Sequence, residues 1–499
     1  MYSKKNDMQG TKDYQEKLFL NFRLSEYVPK ENFYRRLKET LDLSYLRGLT
    51  KKYYGSEGQK SIDTEVFFKL MLIGYLENIN SDRQIVESAR MRMDMLYFLG
   101  YDLDESLPWH STLSRTRKLF GEDIFLELFR NILRLCVEKG MVNGKTQSVD
   151  SAFIKSNASM ESLVEKELQD NSKKYLTALT ENEDGCVEGK RKIKIKSDDK
   201  HSERFVSTTD PDARVSYKRG KQQTLNHLGV IRVDSQNHVI CGAMVEFADK
   251  RDSETTKRIV DQTIENLQES DIKIEEVLAD TNYSSGDSYR YLESRNITAY
   301  IPVHGSYLPE RKGFIYDKEK DCYVCSEGKL LPYKKITERK YDNRLTKVYR
   351  ADFSTCQTCP QKNQCCKTSK YKTIEESISK SYYDTAFQRM NTAKGKQKMR
   401  VRRTTVEPVW GTLLDYRAMR KVYTKGNELA HKQLLMAAAA YNLKKLLCVK
   451  PLKYVLGAIK RSAINIKNSI WSDIQIFVKA NFRIYFHKPY LQIKLCYIR

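Results

Sequence analysis

The stretch Glu275-Glu276-Val277-Leu278-Ala279-Asp280-Thr281-Asn282-Tyr283-Ser284-Ser285-Gly286 constrains the chain more than any other. Val277, Leu278 and Ala279 are small or branched apolar residues and predict a buried strand. Asp280 ends it, and the loop-forming residues up to Gly286 predict a turn. In α/β sheets, ligands usually sit at the carboxyl ends of strands. Taken alone, a strand-end aspartate more often caps the next helix.

Two further carboxylates give Asp280 company. Ser148-Val149-Asp150-Ser151-Ala152-Phe153-Ile154 is strand-like, with Asp150 facing the opposite way to Val149. Arg402-Arg403-Thr404-Thr405-Val406-Glu407-Pro408-Val409-Trp410-Gly411 is helical, with a glutamate behind two arginines. Asp150, Asp280 and Glu407 lie 130 and 127 residues apart and converge only through folding. Carboxylate oxygens suit hard divalent cations such as Mg²⁺, which keep several waters and accept a phosphate as a further ligand. Two such ions can activate an attacking oxygen and stabilise a leaving one in phosphoryl transfer.

On these residues the chain, from about Tyr53 to about Leu447, resembles the DDE transposases of bacterial insertion sequences. The carriers of the resemblance are the strand with Asp150, the run Ala279-Asp280-Thr281-Asn282-Tyr283, and the Arg403-x3-Glu407 pair. It implies an α/β fold: an RNase H-like mixed sheet flanked by helices, with an all-α N-terminal domain and a Cys-rich insertion. It implies that Asp150, Asp280 and Glu407 hold two Mg²⁺ (or Mn²⁺) ions. Water then attacks a phosphodiester at an element end, and the freed 3′-OH attacks target DNA. Partners would be double-stranded DNA, at element ends and target, and a second copy of the chain. Two alternatives keep the fold: a metal-dependent nuclease that cuts without joining, and a non-catalytic DNA-binding relative.

Composition agrees with an anionic polymer partner. Lys and Arg number 88 against 64 Asp and Glu, a net charge of +24 over 499 residues, so nucleic acid or an anionic membrane surface is favoured over a merely basic soluble protein. No run approaches the roughly 20 apolar residues of a spanning helix. Met1 to Asp7 has no apolar core behind its charges, so no export signal is expected and the location is expected to be cytoplasmic and nucleoid-associated. The 11 cysteines then favour reduced thiols or metal over a disulfide framework.

Along the chain, residues 1–58 form a polar leader, amphipathic around Phe33 to Leu49. It packs on the next domain or carries DNA contacts. Residues 59–140 read as helical: Val66, Phe67, Leu70, Met71 and Gly74 recur at helical spacing, Ser81 can cap a helix from Asp82 to Arg92, and Ser111 or Thr112 can cap one from Leu113 to Phe120. Arg115, Arg117 and Lys118 line that last helix. It is either the DNA-reading helix of a helix-turn-helix-like module or the solvated basic face of a bundle. The resemblance favours the first.

Residues 145–302 form the first part of the core, in the order β, ββ, α, β, α, β. They are interrupted over 155–225 by a polar insertion holding the charge run Lys190 to Lys196 and the turn Thr209-Asp210-Pro211-Asp212-Ala213-Arg214. Residues 303–390 carry Cys322-x2-Cys325, Cys356-x2-Cys359, Cys365 and Cys366. Two CxxC pairs can wrap one structural Zn²⁺. The resemblance implies Cys325, Cys356, Cys359 and Cys365 as ligands, with Cys322 and Cys366 spare.

Residues 391–447 complete the core. Arg400, Arg403, Glu407, Trp410, Leu414 and Arg417 fall at steps of three and four, on one expected helical face, with Pro408 expected to start or kink the helix. Arg403, Arg400 and Arg417 are candidates for DNA phosphates. The fuller family signature, Tyr-x2-Arg-x3-Glu-x6-Lys, is broken at Arg400 and Leu414. Arg417, Arg420 or Lys421 could replace the lysine. An Ala-rich helix from Lys432 to Leu447 closes the core, and residues 448–499 are a basic tail, DNA-contacting or a poorly ordered addition.

Overall fold

The computed structural model describes residues 22–55, 57, 61–165, 205–216, 222–305, 307–339 and 345–448. The Lys190 to Lys196 run and all of the basic tail past Cys448 lie outside them. The chain divides into two compact units, 1–446 and 447–499. The first contains the helical region, the central sheet and the cysteine-bearing segment.

The N-terminal third is helical: α1 (Leu24–Tyr27), α2 (Phe33–Thr40), α3 (Tyr45–Thr50), α4 (Thr64–Leu76), α5 (Asp82–Arg90), α6 (Met93–Leu99), α7 (His110–Leu119) and α8 (Glu122–Glu138). Helix α4 is apolar nearly all round and buried nearly all round, as a central helix must be. Asp63 caps it by accepting from the Glu65 N–H. Around it Phe67, Phe68, Phe120 and Phe125 pack edge-to-face and stacked.

The leader joins this bundle. Tyr34, Leu37, Leu41, Leu43 and Leu46 are buried, and the Tyr34 hydroxyl donates to Glu77 at 2.6 Å. A boundary at residue 58 is therefore corrected: from Leu24 on, the segment packs on the next helices. Two expected caps also differ. The Ser81 side chain makes no cap bond, and α7 starts at His110 behind Trp109 rather than at Ser111 or Thr112.

The central sheet follows. Strand β1 (Thr146–Lys155) is succeeded by a short pair, β2 (Leu163–Glu165) and β3 (Phe205–Ser207), then β4 (Arg214–Ser216), β5 (Thr224–Asp234) and β6 (Ile240–Phe247). After these come α9 (Asp252–Leu267), β7 (Glu276–Leu278), α10 (Gly286–Ser294) and β8 (Thr298–Tyr300). Strand β1 is antiparallel to β5, and β5 to β6. On its other side β1 is parallel to β7, and β7 to β8. The order β6-β5-β1-β7-β8, with β4 added at the start of β5, is the RNase H-like arrangement. Val149, Leu228, Val230, Ile259, Val277 and Leu292 form its core under α9 and α10.

The cysteine-bearing segment is an antiparallel meander in sequence order: β9 (Phe314–Asp317), β10 (Cys322–Cys325), β11 (Leu330–Glu338), β12 (Leu345–Arg350) and, beyond α11 (Phe353–Gln357) and α12 (Lys362–Cys365), β13 (Thr373–Ser377). It has its own core of Tyr323, Leu331, Tyr349 and Ile374. The chain then returns through α13 (Lys380–Asn391), whose Ala386 belongs to the central core, so the insertion closes before residue 380 rather than at 390. Helices α14 (Ala393–Tyr416) and α15 (Asn427–Cys448) complete the molecule.

Helix α15 is fixed by polar groups that its apolar pattern hides. Asn442 accepts from the Ile240 N–H at 2.9 Å and donates to its carbonyl at 2.8 Å, satisfying the outer edge of β6. The Thr209 to Arg214 turn clamps the start of the helix. Asp212 accepts from the Asn427 N–H at 2.9 Å, and Asp210 accepts from the Gly426 N–H at 3.0 Å and from His227 Nε2 at 3.1 Å. Gly426 sits at φ +88°, where a side chain would be strained.

Burial opposes the charge on Asp210, but His227 and the backbone donors outweigh it and hold its carboxyl below the usual range. A depressed carboxyl contributes stability above its unfolded value of about 3.9 and loses it as pH falls through the folded value. Asp210→Asn should therefore lower the stability at neutral pH by about 1–3 kcal/mol. It should also flatten the loss of stability below about pH 4. Urea unfolding across pH measures both.

Candidate active site

The two aspartates are neighbours by register. Gln147 pairs with Val277 and Ser148 with Leu278 on parallel strands. Two residues further on, Asp150 and Asp280 stand level on adjacent strands and on one face, because side chains alternate with period two. Asp280 leaves the sheet at this point. Its carboxylate accepts from the Asn282 N–H at 3.0 Å and is about one-third exposed, while Asp150 is largely buried.

Helix α14 crosses this face. Its buried residues are Gly395, Arg402, Thr405, Val406, Val409, Trp410 and Leu413, the spacing of one helical stripe. Trp410 lies against Gly229 of β5, where an added Cβ would meet the indole at 2.9 Å and Ile154 at 2.6 Å. One turn before Arg402, Lys398 is paired with Glu276, and Thr146 donates to the same carboxylate at 2.7 Å.

Arg402 is the residue on which the site closes. Its Nη2 lies 2.9 Å from Asp150 Oδ1 and 3.8 Å from Asp280 Oδ2, and its Nη1 lies 3.4 Å from Glu407 Oε1. One guanidinium thus touches all three carboxylates that the sequence singles out. Of the two adjacent arginines, Arg403 is not the one that turns toward the carboxylates. Arg403 is exposed, as is Arg400, and the inward residue is its neighbour Arg402. Extending the stripe Val406, Val409, Leu413 back by one turn reaches Arg402 and would have found it. Helix α14 also neither starts at Pro408 nor is interrupted there. Arg400, Arg403 and Glu407 share its solvent face, while Trp410 lies on the buried one.

Burial, with a smaller contribution from Asp280, pushes the Asp150 carboxyl up to about 6, against the pull of Arg402. The donor set is entirely carboxylate oxygen, which suits a hard divalent cation. A cation already sits among the three groups in the form of Arg402. Among the described residues, no three His, Cys, Asp or Glu side chains are yet close enough to hold a metal ion as they stand.

The remaining basic candidates separate by burial. Arg115 and Lys118 are exposed on α7. Arg117 is 2% exposed, paired with Asp82 at 2.6 Å and stacked over Tyr423 at 4.9 Å, so it holds α7 to α5 and to the core rather than facing DNA. Buried Lys432 of α15 donates to the Phe120 carbonyl at the end of α7 at 2.7 Å. Arg417 is buried too, donating to the Leu76 carbonyl at 3.2 Å, and Arg420 is paired with Asp415. Of the three proposed substitutes for the missing lysine, Lys421 is exposed and unengaged by those pairings.

Of the implied four thiolates, Cys325, Cys356 and Cys365 meet at the insertion core and Cys359 is not among them, and among the described residues no such group is close enough to hold a metal ion as it stands. Cys322 and Cys325 lie on one strand three residues apart and so point to opposite faces. Cys325 packs on the insertion core with Cys356, Cys365 and Cys366. The Cys366 thiol, expected to be spare, meets those of Cys356 and Cys365; burial, then that company, pushes it up to about 11.

Two family models match the chain: a transposase domain (DUF772) over residues 22–119 and a transposase DDE domain over 324–447. The first spans α1 to α7; the second spans most of the insertion and all of α14. The helical bundle, the RNase H-like sheet and these matches define a DNA transposase. The chain carries a transposase domain and, C-terminal to it, a transposase DDE domain. No curated protein matches it.

Solved structures that it matches include a piggyBac transposase synaptic complex with hairpin DNA, at 11% identity over 84% of this chain and 74% of that one, TM-score 0.29. Another is a Mos1 transposase paired-end complex with the left transposon end, at 10% identity over 53% and 67%, TM-score 0.16. At those scores the fold assignment rests on the strand order of the sheet itself.

Arg117→Met should destabilise the protein by about 3 kcal/mol, because it leaves Asp82 unpaired in a poorly solvated place. Arg115→Ala should stay within about 0.5 kcal/mol of wild type. Urea denaturation of the two variants tests the assignment of one arginine to structure and the other to the surface.

Proposed function

We propose that this transposase cuts DNA at the ends of its element and joins the freed ends to a target, with Asp150, Asp280 and Glu407 as ligands of divalent magnesium or manganese. The observation that supports this reading is the convergence of those three carboxylates on one guanidinium. Bound divalent ions would supply charge neutralisation at the phosphoryl group and a lowered pKa for the attacking oxygen.

The protein's own residues do the positioning. Asp150 is fixed in mid-strand, largely buried and paired with Ile231 of β5. Asp280 lies at the mouth, held by the turn that follows it. Glu407 is brought in by a helix anchored through Lys398 and Trp410, and its half-exposed side chain marks where the cleft opens to a large substrate. Arg400 and Arg403, on the same exposed helix face, would take backbone phosphates of the DNA being cut. Arg115 and Lys118 of α7 would contact element-end DNA. No side-chain nucleophile is required. The working form would be a dimer of the chain on two element ends, acting at the nucleoid.

The test uses purified protein, end-sequence duplex and a target plasmid with Mg²⁺. Asp150→Asn, Asp280→Asn and Glu407→Gln should each slow cleavage at least a hundredfold, about 2.7 kcal/mol of barrier, while retaining end binding in a gel-shift assay. Undiminished cleavage in any of them contradicts the assignment. Cleavage without joined product in the wild type shows a nuclease instead. Arg115→Ala and Lys118→Ala should weaken end binding and each reduce the slope of log affinity against log salt by about 0.9.

A further inference from the structure

Arg402 is not placed as a satisfied structural arginine. It is 9% exposed, yet its buried Nε has no hydrogen-bond partner, and its single charge is shared among three carboxylates. Its Nη2 occupies the point between Asp150 and Asp280. A magnesium-sized ion takes carboxylate oxygens at about 2.1 Å, so an ion bridging these two groups needs that same point. The two cations exclude each other sterically and repel each other electrostatically.

The surroundings allow one of them to leave. Helix α14 is held independently by Lys398 on Glu276 and by Trp410 against β5, so the arginine side chain can move while the helix stays. Asp280 and Glu407 are 35% and 56% exposed, and the cleft is open on their side.

We propose that Arg402 is a built-in counter-cation. It holds Asp150, Asp280 and Glu407 together before metal arrives, and it must withdraw for a divalent ion to enter. Metal loading is therefore gated by this side chain. The inference rests on the assignment of the three carboxylates as metal ligands, and the experiment separates the two.

Mn²⁺ binding to the full-length protein is followed by electron paramagnetic resonance of the free ion, with thermal unfolding measured with and without Mn²⁺. The proteins are wild type, Arg402→Met, Arg402→Lys and Asp150→Asn. Arg402→Met should bind Mn²⁺ about tenfold more tightly than wild type or better, unfold at a lower temperature without metal, and gain more from Mn²⁺ than wild type does. Arg402→Lys, a smaller cation that cannot span the three groups, should fall between. Asp150→Asn should lose the site. If Asp150→Asn loses Mn²⁺ while both Arg402 variants bind it no more tightly than wild type, Arg402 is a permanent strut and the inference is overturned. If Asp150→Asn binds Mn²⁺ as wild type does, the metal-site reading itself fails. Should Arg402→Met be unfolded without metal, Mn²⁺ must restore its fold and Arg402→Lys must still bind more tightly than wild type; failure of both overturns the inference.

Discussion

Three carboxylates cannot be packed into one cleft without a cation among them. At a few ångströms and in a partly buried setting their mutual repulsion is worth several kcal/mol, and each would shed its charge or swing away. In this transposase the cation is Arg402, delivered from helix α14 to the spot where β1 and β7 place their aspartates side by side. The sheet register brings two of the charges together, the helix brings the third, and the guanidinium makes the gathering tolerable. Burial, more than its carboxylate neighbours, raises the Asp150 carboxyl against the pull of Arg402.

The rest of the fold serves the placement of that helix. Its apolar stripe lies on β1 and β5, where Gly229 gives room for Trp410. Its first half is tied to the sheet through Lys398 and Glu276. Helix α15, capped by the Asp210 turn and bonded to β6 through Asn442, closes the same layer. Arg117 and Lys432 then couple α7 to this layer by buried charge. Such groups contribute position more than net stability, since each must first be desolvated.

Much of this was legible in the sequence. The order of strands and helices in the core followed from hydrophobic period, and the convergence of Asp150 with Asp280 was expected from the resemblance, while the register that sets them level on adjacent strands came only with the structure. What stayed hidden depended on remote partners. Arg402 and Arg403 are chemically alike and adjacent, and only the sheet beneath decides which one turns inward. Arg117 and Arg417 looked like surface charge because Asp82, Tyr423 and the Leu76 carbonyl, which hold them, are remote in sequence. The insertion meander was hidden by strands such as Leu330–Glu338, mostly exposed and rich in lysine, which lack the alternation that marks a half-buried strand. Cys322-x2-Cys325 read as a metal pair because the spacing suits a knuckle; on a strand the same spacing divides the two thiols between opposite faces.

The most direct test of the account is a crystal grown with Mn²⁺ and examined for anomalous scattering. A peak bounded by Asp150, Asp280 and Glu407 is expected, with the Arg402 side chain moved out from between them. A saturating Mn²⁺ soak that leaves Arg402 in contact with all three carboxylates, and no manganese among them, would contradict it.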